Sequence, residues 1–286
     1  NSDTENDNIA IGYQAMVTDT AGGTGNVAIG NYALDGLTSG DYNIAIGNTA
    51  LGGNTTADNN IAVGHAALLA NTTGASNIAM GRQALTTNIT GSNNTAIGHV
   101  ALGDNTASNN TAFGYLALNA NTTGEDNVSV GKNSAPANTT GANNTAVGSN
   151  AFETNTTGSQ NTAIGQGAMN ASTTGDNNTG VGWQALLSNT TGAQNTTLGY
   201  RSGGNITEGD ANTCVGFNAG NYGNELTTGS SNVIVGAYCS PTSGTGDNAH
   251  GFGYNLDCEA EYITLGKAAS DIRAAHGNVT WATVSD

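Results

Sequence analysis

Residues 93–102 read NNTAIGHVAL, and sixteen residues further along the chain residues 109–118 read NNTAFGYLAL. The shared unit, Asn-x-Ala-aliphatic-Gly, recurs through most of the 286-residue chain. The glycine that ends the unit, called here the anchor glycine, returns with an almost constant 17-residue period at Gly12, Gly30, Gly47, Gly64, Gly81, Gly98, Gly114, Gly131, Gly148, Gly165, Gly182, Gly199 and Gly216. The spacing then becomes irregular and leads to Gly236, Gly253 and Gly266. A short period kept this long predicts a solenoid in which each unit forms one coil.

The repeated unit has the pattern of a short β-strand. In residues 94–98 and their equivalents, the second position is usually Thr, Ile or Val, the third is small, and the fourth is aliphatic or Phe. Alternation with a period of two is typical of strands. A second short segment such as Tyr32-Ala33-Leu34 follows the anchor glycine, and a turn such as Asn71–Gly74 completes the coil. We therefore predict an all-β solenoid with two short strands per 17-residue coil.

The turns are rich in Asn, Thr and Gly. Glycine supplies the positive φ that many tight turns require, and Asn and Thr side chains hydrogen-bond the turn backbone. Stacked coils lie about 4.8 Å apart, which is close enough for asparagine side chains of successive coils to bond one another. We expect amide ladders along these turns.

A coil this short encloses a narrow interior, which suits Ala and Gly, so we expect Ile, Val, Leu and Met to point outward. The resulting apolar stripe is rarely left exposed on a soluble monomer, and identical chains packed around an axis would cover it. We therefore predict a homotrimer, with interface candidates at the fourth strand position: Ile29, Ile46, Val63, Met80, Ile97, Phe113, Val130, Val147 and Ile164. The alternative, with the aliphatic side chains inside and Ala outside, predicts a monomeric solenoid.

Charge and composition argue against several classes of partner. The chain has 5 Lys and Arg against 21 Asp and Glu, a formal net charge of −16, and such a surface repels phosphate backbones. No apolar run approaches the roughly 20 residues of a membrane-spanning helix. We expect neither nucleic-acid binding nor membrane insertion. The start, NSDTENDN, lacks Met and a signal-peptide pattern, so we expect a processed or excised piece of a longer protein.

Cysteine usage is sparse. Cys214, Cys239 and Cys258 all lie in the last third of the chain, and an odd count argues against a disulfide framework. We expect buried reduced thiols, with a Cys239–Cys258 pair as the alternative.

The sequence offers little for catalysis or metal binding. It contains no GxSxG, HExxH, P-loop or CxxC motif, and its isolated carboxylates fall in turns. His65 and His99 share the position after the anchor glycine, but Arg82 and Lys132 stand there in other coils, so we expect that position to face solvent. We predict no enzyme activity, no metal and no cofactor. An ice-binding solenoid with threonine ladders and a glycan-cleaving fibre remain as alternatives.

Residues 237–262 form the most irregular part of the repeat. The period slips, and we expect an insertion around residues 238–241. Aromatic rings with a few polar groups on loops suit a glycan, so we predict receptor contacts at Tyr238, Asp247, His250, Phe252, Tyr254 and Tyr262. The alternative is that these residues cap the end of the solenoid. The predicted organisation is a repeat shaft over 1–236, this tip or capping region over 237–262, and a C-terminal cap over 263–286.

These residues resemble known fibre repeats. The Asn-x-Ala-Ile-Gly unit with its following x-Ala-Leu resembles the head repeats of trimeric autotransporter adhesins, and the 17-residue form with Asn-Thr-Thr-Gly turns is similar to repeats of phage tail fibres and other virion fibres. This resemblance covers roughly residues 8–236. It implies a narrow left-handed β-roll packed as a parallel homotrimer, with the larger apolar residues at the trimer interface.

The C-terminal segment carries a second resemblance. Residues 262–266 (YITLG), Ile272-Arg273 and residues 278–286 (NVTWATVSD) resemble the segment that leads into an endosialidase-type intramolecular chaperone. In that family a Ser-Asp pair begins the chaperone, which cuts itself off, so the resemblance implies a cleavage near Ser285-Asp286. The catalytic Lys of that family would lie downstream, and no protease is implied for this chain.

Together these observations predict a structural and adhesive protein. We expect the shaft or tip of a trimeric virion tail fibre, which contacts a host-surface receptor, a glycan or a protein, and joins other fibre or tail proteins. A bacterial surface adhesin head, located on the cell surface, is the alternative.

Overall fold

The computed structural model describes residues 7–18, 22–267, 271–277 and 282–283. Within them the chain is all-β, without any helix, and forms a β-solenoid of about 15 turns with a 17-residue period. This confirms the predicted fold class. The chain divides into two compact units, Asn1–Asn143 and Asn144–Asp286.

The first unit is a stack of parallel three-residue strands, one per coil. Neighbouring strands pair without slippage, so that Ala45 lies opposite Ala62 and Ile46 lies opposite Val63. In chain order the strands are β1 Ile9–Ile11, β2 Val27–Ile29, β3 Ile44–Ile46, β4 Ile61–Val63, β5 Ile78–Met80, β6 Thr95–Ile97, β7 Thr111–Phe113 and β8 Val128–Val130.

The second unit has the same kind of arrangement and a different end. Its parallel strands are β9 Thr145–Val147, β10 Thr162–Ile164, β11 Thr179–Val181, β12 Thr196–Leu198, β13 Thr213–Val215, β14 Val233–Val235, β16 His250–Tyr254 and β18 Tyr262–Lys267. A separate parallel pair joins β15 Ser240–Pro241 to β17 Asp257–Cys258. The last strands, β19 Ile272–Ala275 and β20 Ala282–Thr283, are antiparallel and close the stack.

The insertion that we predicted near residues 238–241 is in the wrong place. The extra residues lie within 221–225, in the coil between the anchor glycines Gly216 and Gly236. They form a loop that projects from this coil, and the N–H of Leu226 donates to the carbonyl of Gly220 at 3.0 Å. From Thr227 onward the regular spacing returns, because the N–H of Thr227 donates to the carbonyl of Gly244. Residues 240–241 belong instead to strand β15.

The strands place Ala inside and the larger residues outside. The third position is fully buried in coil after coil, as at Ala28, Ala45 and Ala62, whereas Ile29 and Ile46 at the fourth position are 36% and 38% exposed. The predicted orientation of the strand side chains is therefore confirmed, and the alternative with Ala outside is wrong.

The second segment of each coil differs from the prediction. Leu34 and Leu68 are fully buried, so the expectation that every large aliphatic residue points outward is wrong there. The segment is a turn and not a strand, because Tyr32 and Leu34 adopt the left-handed conformation with φ of 59° and 50°. Those two kinks turn the consecutive Ala33 and Leu34 side chains inward together. The N–H of Leu68 still donates to the carbonyl of Ala84 in the next coil at 3.0 Å.

Buried asparagines form the expected amide ladders. Asn77 is representative: its Nδ2 donates to the carbonyl of Gly91 at 2.9 Å and to Oδ1 of Asn60 at 3.1 Å, and its Oδ1 accepts the N–H of Asn94 at 3.0 Å. A second ladder follows the turns, where Asn88 Nδ2 donates to Asn71 Oδ1 at 3.1 Å. These bonds supply the buried backbone groups of a narrow interior with partners.

Positive φ is found at the regularly spaced anchor glycines and not at the glycines that end the Asn-Thr-Thr-Gly turns. Turn glycines such as Gly74 lack a positive φ, whereas Gly81 has φ of 140°. A Cβ on Gly81 would also lie 2.4 Å from the carbonyl oxygen of Gly98. Only glycine fits this combination of backbone angle and coil spacing.

Candidate functional site

The outer strand face is a row of exposed and partly exposed side chains that runs along the strands of each unit. We define it as the second and fourth positions of the repeat unit, which are the first and third residues of each of the strands β1–β14. All nine interface candidates lie on it, with Ile29, Ile46, Met80, Phe113, Val130 and Ile164 between 36% and 40% exposed and Val63, Ile97 and Val147 partly buried.

The same face carries no charge. The strands β1–β14 contain no Asp, Glu, Lys or Arg, although the chain carries 21 acidic residues. The acidic side chains lie elsewhere in the coil, as with Asp41 and Asp58, whose Oδ1 atoms accept N–H groups of Thr24 and Asp41. The outer strand face is therefore an uncharged surface on an otherwise acidic protein. Its fourth positions are aliphatic or Phe, whereas its second positions are aliphatic in most coils of the first unit and Thr in most coils of the second.

The six predicted receptor contacts do not form one cluster. Tyr238 and Tyr254 meet edge to face, with ring centroids 5.9 Å apart. His250 and Phe252 lie on β16 at the second and fourth strand positions, so they extend the outer strand face. Of the remaining two, Asp247 is exposed and accepts the N–H of Ser230, and Tyr262 is partly buried at the start of β18.

The second unit carries an aromatic ladder that the sequence reasoning missed. We define it as Trp183, Tyr200, Phe217, Tyr238 and Tyr254. The first three stack face to face, with centroids 4.7 Å and 4.8 Å apart and interplanar angles of 15° and 6°. The signal was present in the sequence, since 183, 200 and 217 all follow an anchor glycine, but the variety of residues in other coils concealed it.

The fold explains the stacking. The residue after an anchor glycine projects from the end of the strand, and in-register coils place successive residues at this position about 4.8 Å above one another. Tyr238 continues the ladder at a tilt, 5.3 Å from Phe217, and Tyr222 from the 221–225 insertion packs against its edge at 5.0 Å. The rings remain accessible, with Tyr200 41% and Tyr254 49% exposed.

A polar groove lies at the end of the ladder where Trp183 has no aromatic neighbour. It has a volume of about 250 Å³ and is lined by Asn150, Gln166, Gly167, Asn170, Trp183, Gln184 and Leu187. All of these belong to the second unit. The groove therefore combines one indole with four side-chain amides.

One carboxylate organises two of the amides. Glu153 Oε2 accepts Nδ2 of Asn150 at 3.1 Å and Nδ2 of Asn170 at 2.5 Å. The amides of Gln166 and Gln184 make no side-chain hydrogen bond within the described residues, so their donors and acceptors are available to a ligand.

The groove exists because Gly167 replaces a longer side chain. The equivalent residues one coil before and after are Asn150 and Gln184, which adopt the same left-handed backbone, with φ of 56° and 51° against 65° at Gly167. A Cβ on Gly167 would meet only Cγ of Gln184, at 3.5 Å. Packing therefore does not require glycine here.

The groups of the second unit whose pKa values are shifted are buried thiols and one histidine. The three cysteines are free and buried, so the alternative of a Cys239–Cys258 disulfide is wrong. Burial raises the pKa of Cys214 and of Cys258 to about 12. Burial and the neighbouring His276, whose ring centroid lies 4.6 Å away, lower the pKa of His250 below its usual value.

The position after the anchor glycine, which we predicted to face solvent, makes side-chain contacts at His99 in the first unit. His99 stacks on Tyr115 with centroids 5.5 Å apart, and its Nε2 lies 3.4 Å from a guanidinium nitrogen of Arg82. Across the described ranges, no group of three or more His, Cys, Asp or Glu side chains is arranged to hold a metal ion. The predicted cleavage position, Ser285-Asp286, lies outside the described residues.

The sequence matches no model of a known protein family and no curated protein. The part of the chain that the structure describes holds no helix long and apolar enough to cross a membrane. The molecule is, on its structure, a β-solenoid repeat protein.

Proposed function

We propose that this protein is the structural and adhesive shaft of a homotrimeric fibre, of the kind that virions use as tail fibres to reach a host surface. The observation that carries the proposal is the outer strand face. It is uncharged, its fourth position is aliphatic or Phe in β1–β14, and it repeats from coil to coil, so the same face of a parallel second copy could pack against it.

The charge distribution favours association of two copies of this chain through the outer strand face. Each chain has a net charge of −16, so two chains repel one another wherever their acidic turns approach. The outer strand face is the surface on which close approach avoids that repulsion, since β1–β14 contain no charged residue.

The exposed area is large enough to matter. A side chain of this size contributes about 1.5–3 kcal/mol when fully buried, so burying the roughly 40% left exposed contributes about 1 kcal/mol per coil. The five exposed candidates of the first unit therefore supply about 5 kcal/mol per chain. The less exposed Val63 and Ile97 and the fourth positions of the second unit add to this amount. Association costs about 4–15 kcal/mol, so the full set of coils is needed for a stable assembly.

The test places charge on the outer strand face. We expect Ile97→Asp with Phe113→Asp to dissociate the assembly, because three copies of each carboxylate would meet in an apolar interface. The matched control is Thr73→Asp with Thr123→Asp, which adds the same charge to exposed turn positions of the same unit. Sedimentation velocity of both variants decides: dissociation of the strand-face variant alone supports the proposal, and an unchanged mass in that variant contradicts it.

The adhesive part of the proposal rests on the accessible rings of the second unit. Aromatic surfaces with nearby polar groups suit a surface glycan, and three copies in one fibre raise avidity without any additional contact. The tip candidates Tyr238 and Tyr254 belong to the same ladder as Trp183.

A further inference from the structure

We propose that the polar groove beside Trp183 binds one neutral pyranose unit of a glycan. The inference rests on the adhesive function proposed above and gives it a ligand class and a place. The groove lies within a single chain, so it does not depend on how many chains assemble.

The indole supplies the platform that a sugar ring needs. Tyr200 covers one face of Trp183 at 4.7 Å, and the groove opens beside Trp183 toward the preceding coil, where Gln166 and Gly167 stand at the equivalent positions. The C–H groups of a pyranose pack on an aromatic face, while its hydroxyls point sideways toward polar groups. Tyr200 lies between Trp183 and Phe217, and at the other end of the ladder the Lys267 ammonium lies 5.6 Å from the ring centroid of Tyr254. The aromatic face that opens onto the groove is therefore that of Trp183.

The rim of the groove supplies the hydrogen bonds. Each side-chain amide offers two donors and one acceptor, which match the mixed donor and acceptor character of a hydroxyl. Glu153 fixes the amides of Asn150 and Asn170 in position, whereas Gln166 and Gln184 have free amides. A prearranged pair and an adaptable pair together suit a ligand with several hydroxyls.

Size and charge narrow the ligand class. The volume of about 250 Å³ lies below the roughly 300–1,000 Å³ of sites for drug-sized ligands, so the groove suits one ring of a longer chain. The carboxylate of Glu153 and the overall charge of −16 disfavour an anionic sugar. A neutral hexose or N-acetylhexosamine fits both limits.

The experiment uses Gly167→Asn, which fills the groove with a side chain that Asn150 already carries on the same backbone. Its matched control is Gly223→Asn, since Gly223 has φ of 69° and open space around its Cβ in the 221–225 insertion. The probes are the methyl glycosides of glucose, galactose, mannose and N-acetylglucosamine, with glucuronate and sialic acid as anionic counterparts. Saturation-transfer NMR on the full chain measures binding.

We expect at least one neutral glycoside to bind with a Kd of about 1 mM, as the efficiency of small ligands predicts. Gly167→Asn should weaken that binding at least about tenfold, and Gly223→Asn should leave it within about twofold. Trp183→Ala should abolish binding, and Trp183→Phe should retain part of it because a smaller aromatic platform remains.

Three results would overturn the inference: no neutral probe binds, an anionic probe binds more tightly than every neutral one, or Gly167→Asn binds as the unmodified protein does. If binding is lost in Tyr254→Ala but kept in Gly167→Asn, the glycan site lies at the predicted tip. Sedimentation of the same samples reports the assembly separately, so failure of the groove and failure of the fibre proposal are distinguishable.

Discussion

Replacing Asn77 with alanine tests whether the buried amide ladders stabilise the solenoid. The Asn77 side chain is fully buried and makes three hydrogen bonds, to the carbonyl of Gly91, to Oδ1 of Asn60 and from the N–H of Asn94. Alanine leaves the N–H of Asn94 without its side-chain acceptor. The other two partners keep one hydrogen bond each: the carbonyl of Gly91 still accepts Nδ2 of Asn88, and Oδ1 of Asn60 still accepts the backbone N–H of residue 77.

The magnitude follows from those losses. An unsatisfied buried N–H costs about 1–3 kcal/mol, and each of the two other lost hydrogen bonds costs about 0.5–1.5 kcal/mol, so Asn77→Ala should lower the free energy of unfolding by about 2–6 kcal/mol. The matched control is Thr73→Ala, which removes an exposed hydroxyl from the neighbouring turn and should change that free energy by at most about 0.5 kcal/mol.

Urea denaturation followed by circular dichroism measures both variants at one fixed chain concentration, because the stability of an assembly depends on concentration. Hydrogen exchange adds a local readout, since the amide of Asn94 should lose protection in Asn77→Ala. If the two variants have the same free energy of unfolding within the error of the measurement, the ladder does not stabilise the fold as argued.

The other predictions concern glycine, thiols and histidine. Gly81→Ala should lower the free energy of unfolding by at least about 3 kcal/mol, because the φ of 140° and the close carbonyl of Gly98 both oppose a Cβ. The control, Gly167→Ala, should lower it by about 1 kcal/mol or less. Equal losses in the two variants, measured by denaturation, would contradict this reasoning. Cys214 and Cys258, with pKa values of about 12, should not react with a thiol reagent at pH 8 until the chain unfolds, and rapid labelling of the native protein would refute their burial. The lowered pKa of His250 means that the unfolded chain binds the proton more readily, so stability should fall as the pH decreases below about 6.5, the ordinary histidine pKa. His276 adds to this effect and Glu261 opposes it; an NMR titration midpoint for His250 above 6.5 would reverse the sign.

The sequence was sufficient for the period, the strand and the direction of its side chains. The alternating pattern and its constant period determine the length of the coil and the register of the strands. A one-residue slip would move residues such as Ala45 and Ala62 from the interior to the surface. The asparagine ladders followed from the same repeat, since equivalent residues of in-register coils must lie above one another.

The second segment could not be predicted in the same way. Left-handed backbone at a residue such as Leu34 is uncommon outside glycine, so a pattern of small and large residues suggested a strand. The surrounding coils impose the turn, and the buried Leu34 is its consequence. Local propensity gave no sign of this.

The ladder and the groove could be found only by comparing equivalent residues of successive coils, because no sequence motif marks them. The ladder appears only when residues 183, 200 and 217 are read as one column, and the groove appears only when Gly167 is compared with Asn150 and Gln184. The tip candidates were chosen for their proximity in sequence, whereas the solenoid separates them among the strand face, the ladder and the turns.

The solution mass of the intact chain tests the central claim most directly. Light scattering coupled to size-exclusion chromatography should give three times the chain mass of 28.3 kDa. A single species of 28.3 kDa across the accessible concentration range would contradict the account, because the outer strand face would then remain exposed to water in a stable monomer.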